Sequence, residues 1–302
     1  MISVAMTTYN GGRYIREQLD SVLSQSLRDF ELVVCDDCSA DDTWDILEKY
    51  GKRDERIRIY RNKVNLGFKR NFEEAVKLCR GEFVAFCDQD DIWTANHLEV
   101  LYNNIGDKAV CVANAAIIDG NGREMGFKLS DFMGIRHFPE KDLDKAYVLF
   151  YFLNPFPGCN TMFRKSFLDF AYPIRDGRIR YHDSYALALA CVSEAGLVYV
   201  DEVTMLYRFH KESVTSGAKR RMCSPYRCCL RKLATAPHAR SNYVPDRIYF
   251  CREILGKNAN LTREQHDFLT QAFRYHARRD KLWGRLLNFM FDLRHFRVMY
   301  MR

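Results

Sequence analysis

The 302-residue chain contains no run of the roughly 18 uninterrupted apolar residues that a membrane span needs. Its first residues, Met1-Ile2-Ser3-Val4-Ala5-Met6, carry neither a basic leader nor a small-residue cleavage site, so no secretory signal is expected and a cytosolic location follows. Neither sign of charge dominates. The 46 Lys and Arg against 39 Asp and Glu leave a net +7, too small an excess to point to nucleic acid, and no nucleic-acid recognition motif accompanies it. Internal repeats and low-complexity tracts are missing as well. The eleven cysteines form no regular framework, which argues against a disulfide scaffold and predicts small buried thiols. Cys35 and Cys38 have redox-motif spacing, but the two aspartates between them disfavour a thiolate. Cys223, Cys228, Cys229 and Cys251 match no zinc module. What the chain does have is 47% hydrophobic and 14% aromatic residues, enough to bury a full core.

Short β-like runs alternate with helical patterns of about a dozen residues. Residues 2–7 read as a strand, Gly11-Gly12 as a loop, and Ile15, Leu19, Val22 and Leu23 fall at helical spacing. Phe30 to Cys35 is a second buried strand, stopping at Asp36-Asp37 before a helix that starts near Asp41. Ile57 to Tyr60 is a third, followed by an Asn65-Leu66-Gly67 turn and a helix from Phe68 to Cys79; Glu82 to Cys87 is a fourth, ending at Asp88. The alternation predicts an α/β fold, a mostly parallel sheet covered by helices on both faces. Ligands of such sheets sit beyond the carboxyl ends of the strands, and Tyr9, Asp37 and Asp88 all lie at such ends, so they are expected to share one crevice. Further on, a strand is expected at Ala109 to Ala113, a turn at Asp119-Gly120-Asn121-Gly122, and a helix over residues 141–152. A short strand follows at Asn160 to Phe163, then a helix from Ser184 to Ser193 and two strands at Leu197 to Val200 and Met205 to Phe209. From about residue 221 the chain is helical, basic and free of strand signals, so residues 1–220 are read as the α/β domain and 221–302 as a basic helical region.

The segment Asp88-Gln89-Asp90-Asp91 packs three carboxylates into four residues directly after a buried strand. Such crowding is unfavourable unless cations or hydrogen-bond donors answer it. Hard oxygen ligands suit Mg²⁺ or Mn²⁺, with a diphosphate completing the shell. A solvated turn capping the next helix is the alternative. Asp37, at a neighbouring strand tip, can accept from a ribose hydroxyl or a base N–H. Arg208 and His210 alternate with Tyr207 and Phe209, so in a strand they share one side, from which they can reach a diphosphate or the metal.

Thr7-Thr8-Tyr9-Asn10, Ser21-Val22-Leu23-Ser24-Gln25-Ser26, Phe30-Glu31-Leu32-Val33-Val34, Asp36-Asp37-Cys38-Ser39-Ala40-Asp41, Asn65-Leu66-Gly67 and Asp88-Gln89-Asp90-Asp91 resemble, in order, the signatures of the family 2 inverting glycosyltransferases. The resemblance covers about the first hundred residues. It implies the GT-A fold, a nucleotide-diphosphosugar donor and a D-x-D element whose first aspartate matches Asp88 and whose last, metal-binding one matches Asp90. It further implies that Asp37 holds the base or ribose and that Thr8 and Tyr9 belong to the loop contacting the nucleobase. Cys38 stands where the family often has glycine or asparagine. Gly158 to Arg164, Tyr181-His182-Asp183-Ser184 and Leu206 to His210 resemble the acceptor-side motifs of the rhamnosyltransferase-like branch, with Ser184 and Tyr185 replacing two tryptophans. Asp183 matches the catalytic base, and an N-cap for the following helix is its structural alternative.

The implied activity is inverting sugar transfer from a UDP-sugar or dTDP-rhamnose to a surface polysaccharide or lipid-linked glycan. A nucleotidyltransferase is the rival enzyme, for which Gly11-Gly12-Arg13 makes a poor phosphate loop; a non-catalytic nucleotide-binding scaffold is the other rival. Lys281 to Phe291 interleaves cations with Trp283, Leu286, Leu287 and Met290. That composition suits a helix lying peripherally on anionic lipid at the inner membrane face, or one packed on the protein itself.

Overall fold

The computed structural model of the chain describes residues 1–133, 138–151, 154, 156–193, 195–211, 246–257 and 261–277. The expected boundary near residue 221, Cys223, Cys228, Cys229 and the basic segment around Trp283 lie outside the described residues. Among the described residues no helix is long and apolar enough to cross a membrane.

In chain order the elements are β1 (Ile2–Thr8), α1 (Ile15–Leu23), β2 (Phe30–Asp36), α2 (Thr43–Gly51), β3 (Ile57–Arg61), α3 (Phe68–Leu78), β4 (Phe83–Cys87), β5 (Ile92–Trp93), α4 (His97–Ile105), β6 (Val110–Asp119) and β7 (Glu124–Lys128). There follow α5 (Leu129–Met133), α6 (Asp142–Tyr151), a 3₁₀ turn at Gly158–Asn160, β8 (Thr161–Arg164), α7 (Lys165–Ala171), α8 (His182–Val192), β9 (Leu197–Phe209), α9 (Asp246–Gly256) and α10 (Arg263–Ala277). These elements form two compact units. The first comprises Met1–Leu129, Phe156–Pro173 and Leu197–Lys219; the second comprises Ser130–Pro155, Ile174–Gly196 and Arg220–Arg302. The second unit therefore also draws on residues from within the expected 1–220 domain.

In the first unit the strands run in the order β3-β2-β1-β4-β8-β6-β9-β5, with β7 paired to β6. β1, β2 and β4 are buried along their whole length, as continuous apolar runs in central parallel strands should be. α1 turns Ile15, Leu19 and Val22 into the core. β3 to β4 are parallel, but β8 is antiparallel to both β4 and β6, so the sheet is mixed. The two strands expected at 197–200 and 205–209 are one strand, β9, whose register with β6 shifts on either side of Asn114. Phe86 anchors the core, its ring 5.2 Å from Phe72 and 5.0 Å from Phe163.

At the amino ends of the strands a buried carboxylate is fully engaged. Glu31 on β2 lies opposite Ser3 on β1 and accepts its hydroxyl at 2.6 Å, the Arg80 N–H at 2.6 Å and the Arg58 guanidinium at 2.5 Å. Burial alone would raise the pKa of Glu31, but these hydrogen bonds outweigh it and hold the carboxyl below its ordinary value.

In the second unit α6 packs on α8, and α9 packs on α10. α8 is buried over most of its length, and Tyr185 meets Phe250 of α9 edge-on at 5.7 Å. Glu253 on α9 accepts the N–H groups of Arg175 and Asp176, each at 3.0 Å. α8 begins at His182 with Tyr181 as its N-cap, so Asp183 sits inside the first turn and is not the cap expected as its structural alternative.

Candidate functional site

The loops leaving the carboxyl ends of β1, β2 and β4 are tied together by side chains. Thr8, at the end of β1, donates its hydroxyl to Asp36 at the end of β2 (2.9 Å), and the Asp37 N–H returns to the Thr8 carbonyl (2.8 Å). Asn10 continues the seam: its N–H reaches Ser39 Oγ at 2.9 Å and its Oδ1 accepts from Ala40 at 2.8 Å. On the other flank Gln89 brackets the backbone of Tyr9, accepting its N–H at 2.8 Å and donating to its carbonyl at 3.1 Å. Gly11 makes room for this bracket, because a Cβ there would lie 2.2 Å from Gln89 Oε1. The Tyr9 side chain remains 49% exposed. Asn10 and Cys38 both adopt left-handed φ angles, 50° and 65°. That region suits glycine and asparagine and strains other residues, which is the physical reason a glycine or asparagine belongs where Cys38 stands. Cys35 is sealed in β2, its thiol pushed up to about 12 mainly by burial, as expected for an inert thiol.

Asp37 is only 2% exposed. Its Oδ1 accepts from Asn62 and from the Leu66 N–H, and its Oδ2 from the Gly67 N–H, all at 2.8 Å. Gly67 has φ 79°, which lets the chain turn back to make that bond. Three of the carboxylate's four acceptor positions thus hold the 62–67 loop, leaving Asp37 one for anything else.

In the acidic turn after β4, ligand atoms of Asp88, Asp91 and Cys159 lie within 4.8 Å of one another. Register explains the meeting. Antiparallel pairing of β4 with β8 sets Ala85 opposite Met162, and the same register continued by three residues sets Asp88 opposite Cys159. Asp91 is 1% exposed; one oxygen accepts the Arg208 N–H at 2.9 Å, and the other has no partner among the described residues. Burial, and next the charges of Asp90 and Asp88, push the Asp91 carboxyl well above its ordinary range. An orphaned buried carboxylate oxygen beside a second carboxylate is a position that a hard divalent cation fits, and the thiol of Cys159 adds a soft donor. Asp90 and His210, the residues expected to share a metal, do come together, with Asp90 Oδ2 2.7 Å from His210 Nε2. They lie outside the group formed by Asp88, Asp91 and Cys159.

Arg208 on β9 and His210 just past its end both lie against the Tyr14 ring, on one side as their alternation predicts, but the depth of Arg208 differs from expectation. It is 3% exposed and donates to the Asp90 carbonyl at 2.7 Å and to Glu17 at 2.5 Å, with its guanidinium 4.8 Å from the centre of the Tyr14 ring. Its Nε thus sits on the backbone of the acidic turn and its Nη2 on α1. Asp183 belongs to the second unit, half-buried in the first turn of α8.

Sequence reasoning missed Asp36, Gln89, Cys159 and Glu17, and left Asp91 without a role. The antiparallel register of β4 with β8 is the signal that finds Cys159. The pairing of Ile92 with Leu206 on β9, run back by two residues, sets Asp90 opposite Arg208.

The glycosyl transferase family 2 model matches residues 3–170, more than half of the chain. Among curated relatives, the Escherichia coli protein named UDP-Glc:alpha-D-GlcNAc-diphosphoundecaprenol beta-1,3-glucosyltransferase WfgD is 38% identical over 127 residues, 40% of this chain and 48% of the relative. The chain spans less than two thirds of the first curated relatives it matches, 39% to 64% of their length. Among solved structures, S. aureus TarS superposes with a TM-score of 0.60 at 23% identity, covering 91% of this chain and 71% of TarS. The mannosyltransferase PcManGT of Pyrobaculum calidifontis gives 0.54 at 16% identity, covering 96% of this chain and 83% of that one. These likenesses agree with the GT-A expectation for the fold. The chain belongs to glycosyl transferase family 2.

Proposed function

We propose that the protein is an inverting glycosyltransferase that moves a sugar from a nucleotide-diphosphosugar to an acceptor hydroxyl in surface polysaccharide or lipid-linked glycan synthesis. The observation that carries this reading is the buried, half-satisfied Asp91 beside Asp88 in the turn after β4, facing Cys159. Asp88 and Asp91, with Asp90 and His210 adjoining, would hold a Mg²⁺ or Mn²⁺. When bound, the ion supplies Lewis-acid stabilisation of the charge that grows on the departing diphosphate. Tyr9 offers an exposed ring to the base; Thr8 and Asp37 serve from behind by fixing the loops around it. Asp183 takes the proton of the acceptor hydroxyl as its oxygen attacks the anomeric carbon, and the bond to the diphosphate breaks on the opposite face.

Relatives favour a UDP-sugar over dTDP-rhamnose. WfgD is named for UDP-Glc and a diphosphoundecaprenol-linked acceptor, and TarS has been solved with UDP and with UDP-GlcNAc; PcManGT, solved with GDP-Man and Mn²⁺, supports the cation and not the uridine. A lipid-linked acceptor would suit peripheral membrane contact by the basic C-terminal region. The nucleotidyltransferase reading loses ground because the N–H groups of Gly11 and Gly12, which a phosphate loop would need, already donate to Thr43 and Asp41.

Turnover of UDP-sugars with Mn²⁺, in the parent and in Asp90→Ala and Asp183→Ala, tests the proposal. The parent should yield product of opposite anomeric configuration by NMR, and each variant should lose on the order of a hundredfold or more. A parent inert towards every nucleotide sugar would leave the scaffold reading standing.

A further inference from the structure

Arg208 brings a permanent positive charge against the acidic turn, and its restraint is the point of interest. The guanidinium touches the Asp90 carbonyl, and the residue's own N–H holds Asp91 Oδ1. A buried guanidinium bonded to the backbone of a turn that carries three carboxylates has an alternative: to turn and pair with them, since bidentate carboxylate pairing is a favoured geometry for arginine. It would then take the place that a divalent cation needs. Glu17 holds it elsewhere. This carboxylate on α1 binds Arg208 Nη2 at 2.5 Å while itself remaining 57% exposed, and the Tyr14 ring, one turn earlier, lies against both the Arg208 guanidinium and, at 4.7 Å, the His210 imidazole.

α1 begins just after the loop that carries Tyr9 to Gly12, so the same helix holds the base-side loop and the cation-side turn in one frame. We infer that Glu17 is a positioning residue: it draws the Arg208 guanidinium away from the carboxylates of the acidic turn and so keeps it from competing there with a divalent cation and its nucleoside diphosphate. The inference rests on the proposed function. An exposed acid that merely braced the fold would act on stability and leave cation dependence untouched.

The test measures binding of UDP, GDP and dTDP with Mn²⁺ by calorimetry on the full chain, and carries the tightest forward into Glu17→Gln and Glu17→Asp. Glu17→Gln should weaken Mn²⁺-dependent nucleotide binding about tenfold. Raising Mn²⁺ tenfold should restore the affinity, because the cation then outcompetes the released guanidinium, and Glu17→Asp should recover most of the loss. The ion-free melting temperature should stay within about 2 °C of the parent. Binding by Glu17→Gln within twofold of the parent would overturn the inference alone. So would a loss that tracks a lowered melting temperature and does not respond to Mn²⁺. A parent that binds none of the three nucleotides with Mn²⁺ would overturn the proposed function and the inference with it.

Discussion

The two ends of the sheet hold buried carboxylates in opposite conditions. At the amino ends Glu31 is met by a hydroxyl, a backbone N–H and a guanidinium, and its carboxyl is held below the ordinary value. At the carboxyl ends Asp91 has one backbone N–H for one oxygen and, among the described residues, no hydrogen-bond partner for the other, with two further aspartates and the Cys159 thiol beside it, and its carboxyl is pushed up. The first is a finished structural joint. The second is an unfinished one, which a fold tolerates only where something from outside completes it. The contrast separates bracing from chemistry without reference to motif, and it can be broken by experiment.

The largest effect is expected at the unfinished end. Asp91→Asn removes the unpaired charge while keeping an acceptor for the Arg208 N–H. Mn²⁺-dependent turnover should fall on the order of a hundredfold, while the ion-free protein melts a few degrees higher, because an uncompensated buried charge is costly. Lower melting together with lost turnover would mean that Asp91 braces the fold as Glu31 does. At the finished end Glu31→Ala should cost about 3 kcal/mol by stranding Arg58, lowering the melting temperature by roughly 6–12 °C, with turnover per folded molecule unchanged.

Acid should close both gaps, from opposite directions. Glu31 has a depressed folded pKa, so its stabilisation is present above the ordinary value of 4.5 and is lost as pH falls through the folded value. Asp91 has a raised folded pKa, so its penalty is absent below the ordinary value of 3.8 and grows as pH rises from there towards the folded value. Melting curves from pH 7.5 to 3.5 should therefore show the Glu31→Ala deficit and the Asp91→Asn gain both shrinking towards the acid end. A gap that ignores pH would remove the electrostatic explanation for that residue. The smallest effect belongs to Cys38→Gly, which should relieve the φ 65° strain and raise stability by about 1 kcal/mol, read as a melting shift of a few degrees. A decrease would show that the Cys38 side chain is worth more than its backbone costs.

The first four strands and their helices were legible because buried runs such as Phe30 to Cys35 and helical spacings such as Ile15, Leu19 and Val22 are local signals. The expectation that Tyr9, Asp37 and Asp88 lie at the ends of neighbouring strands came from parallel topology alone, and β1 does run between β2 and β4 in parallel. β8 was legible as a strand but not as an antiparallel one between β4 and β6, because periodicity carries no direction; with direction went the meeting of Cys159 and Asp88. Alternation put Arg208 and His210 on one side at the end of β9, yet depth depends on what covers that side, and the nearer of its covering residues, Glu17, is 191 residues from Arg208. For Asp37 the carboxylate was visible in the motif, whereas the returning N–H groups of Leu66 and Gly67 depend on a loop closing in three dimensions.

The most direct measurement is the melting temperature of the parent protein with Mn²⁺ alone, with UDP alone and with both together, beside Asp88→Ala under the same conditions. A ligand that binds only the native state must raise that temperature. The account predicts a clear rise for the parent with both ligands, larger than the sum of the separate shifts and absent in Asp88→Ala. A parent whose melting is indifferent to every nucleoside diphosphate with Mn²⁺, or an Asp88→Ala variant that responds as the parent does, would contradict it.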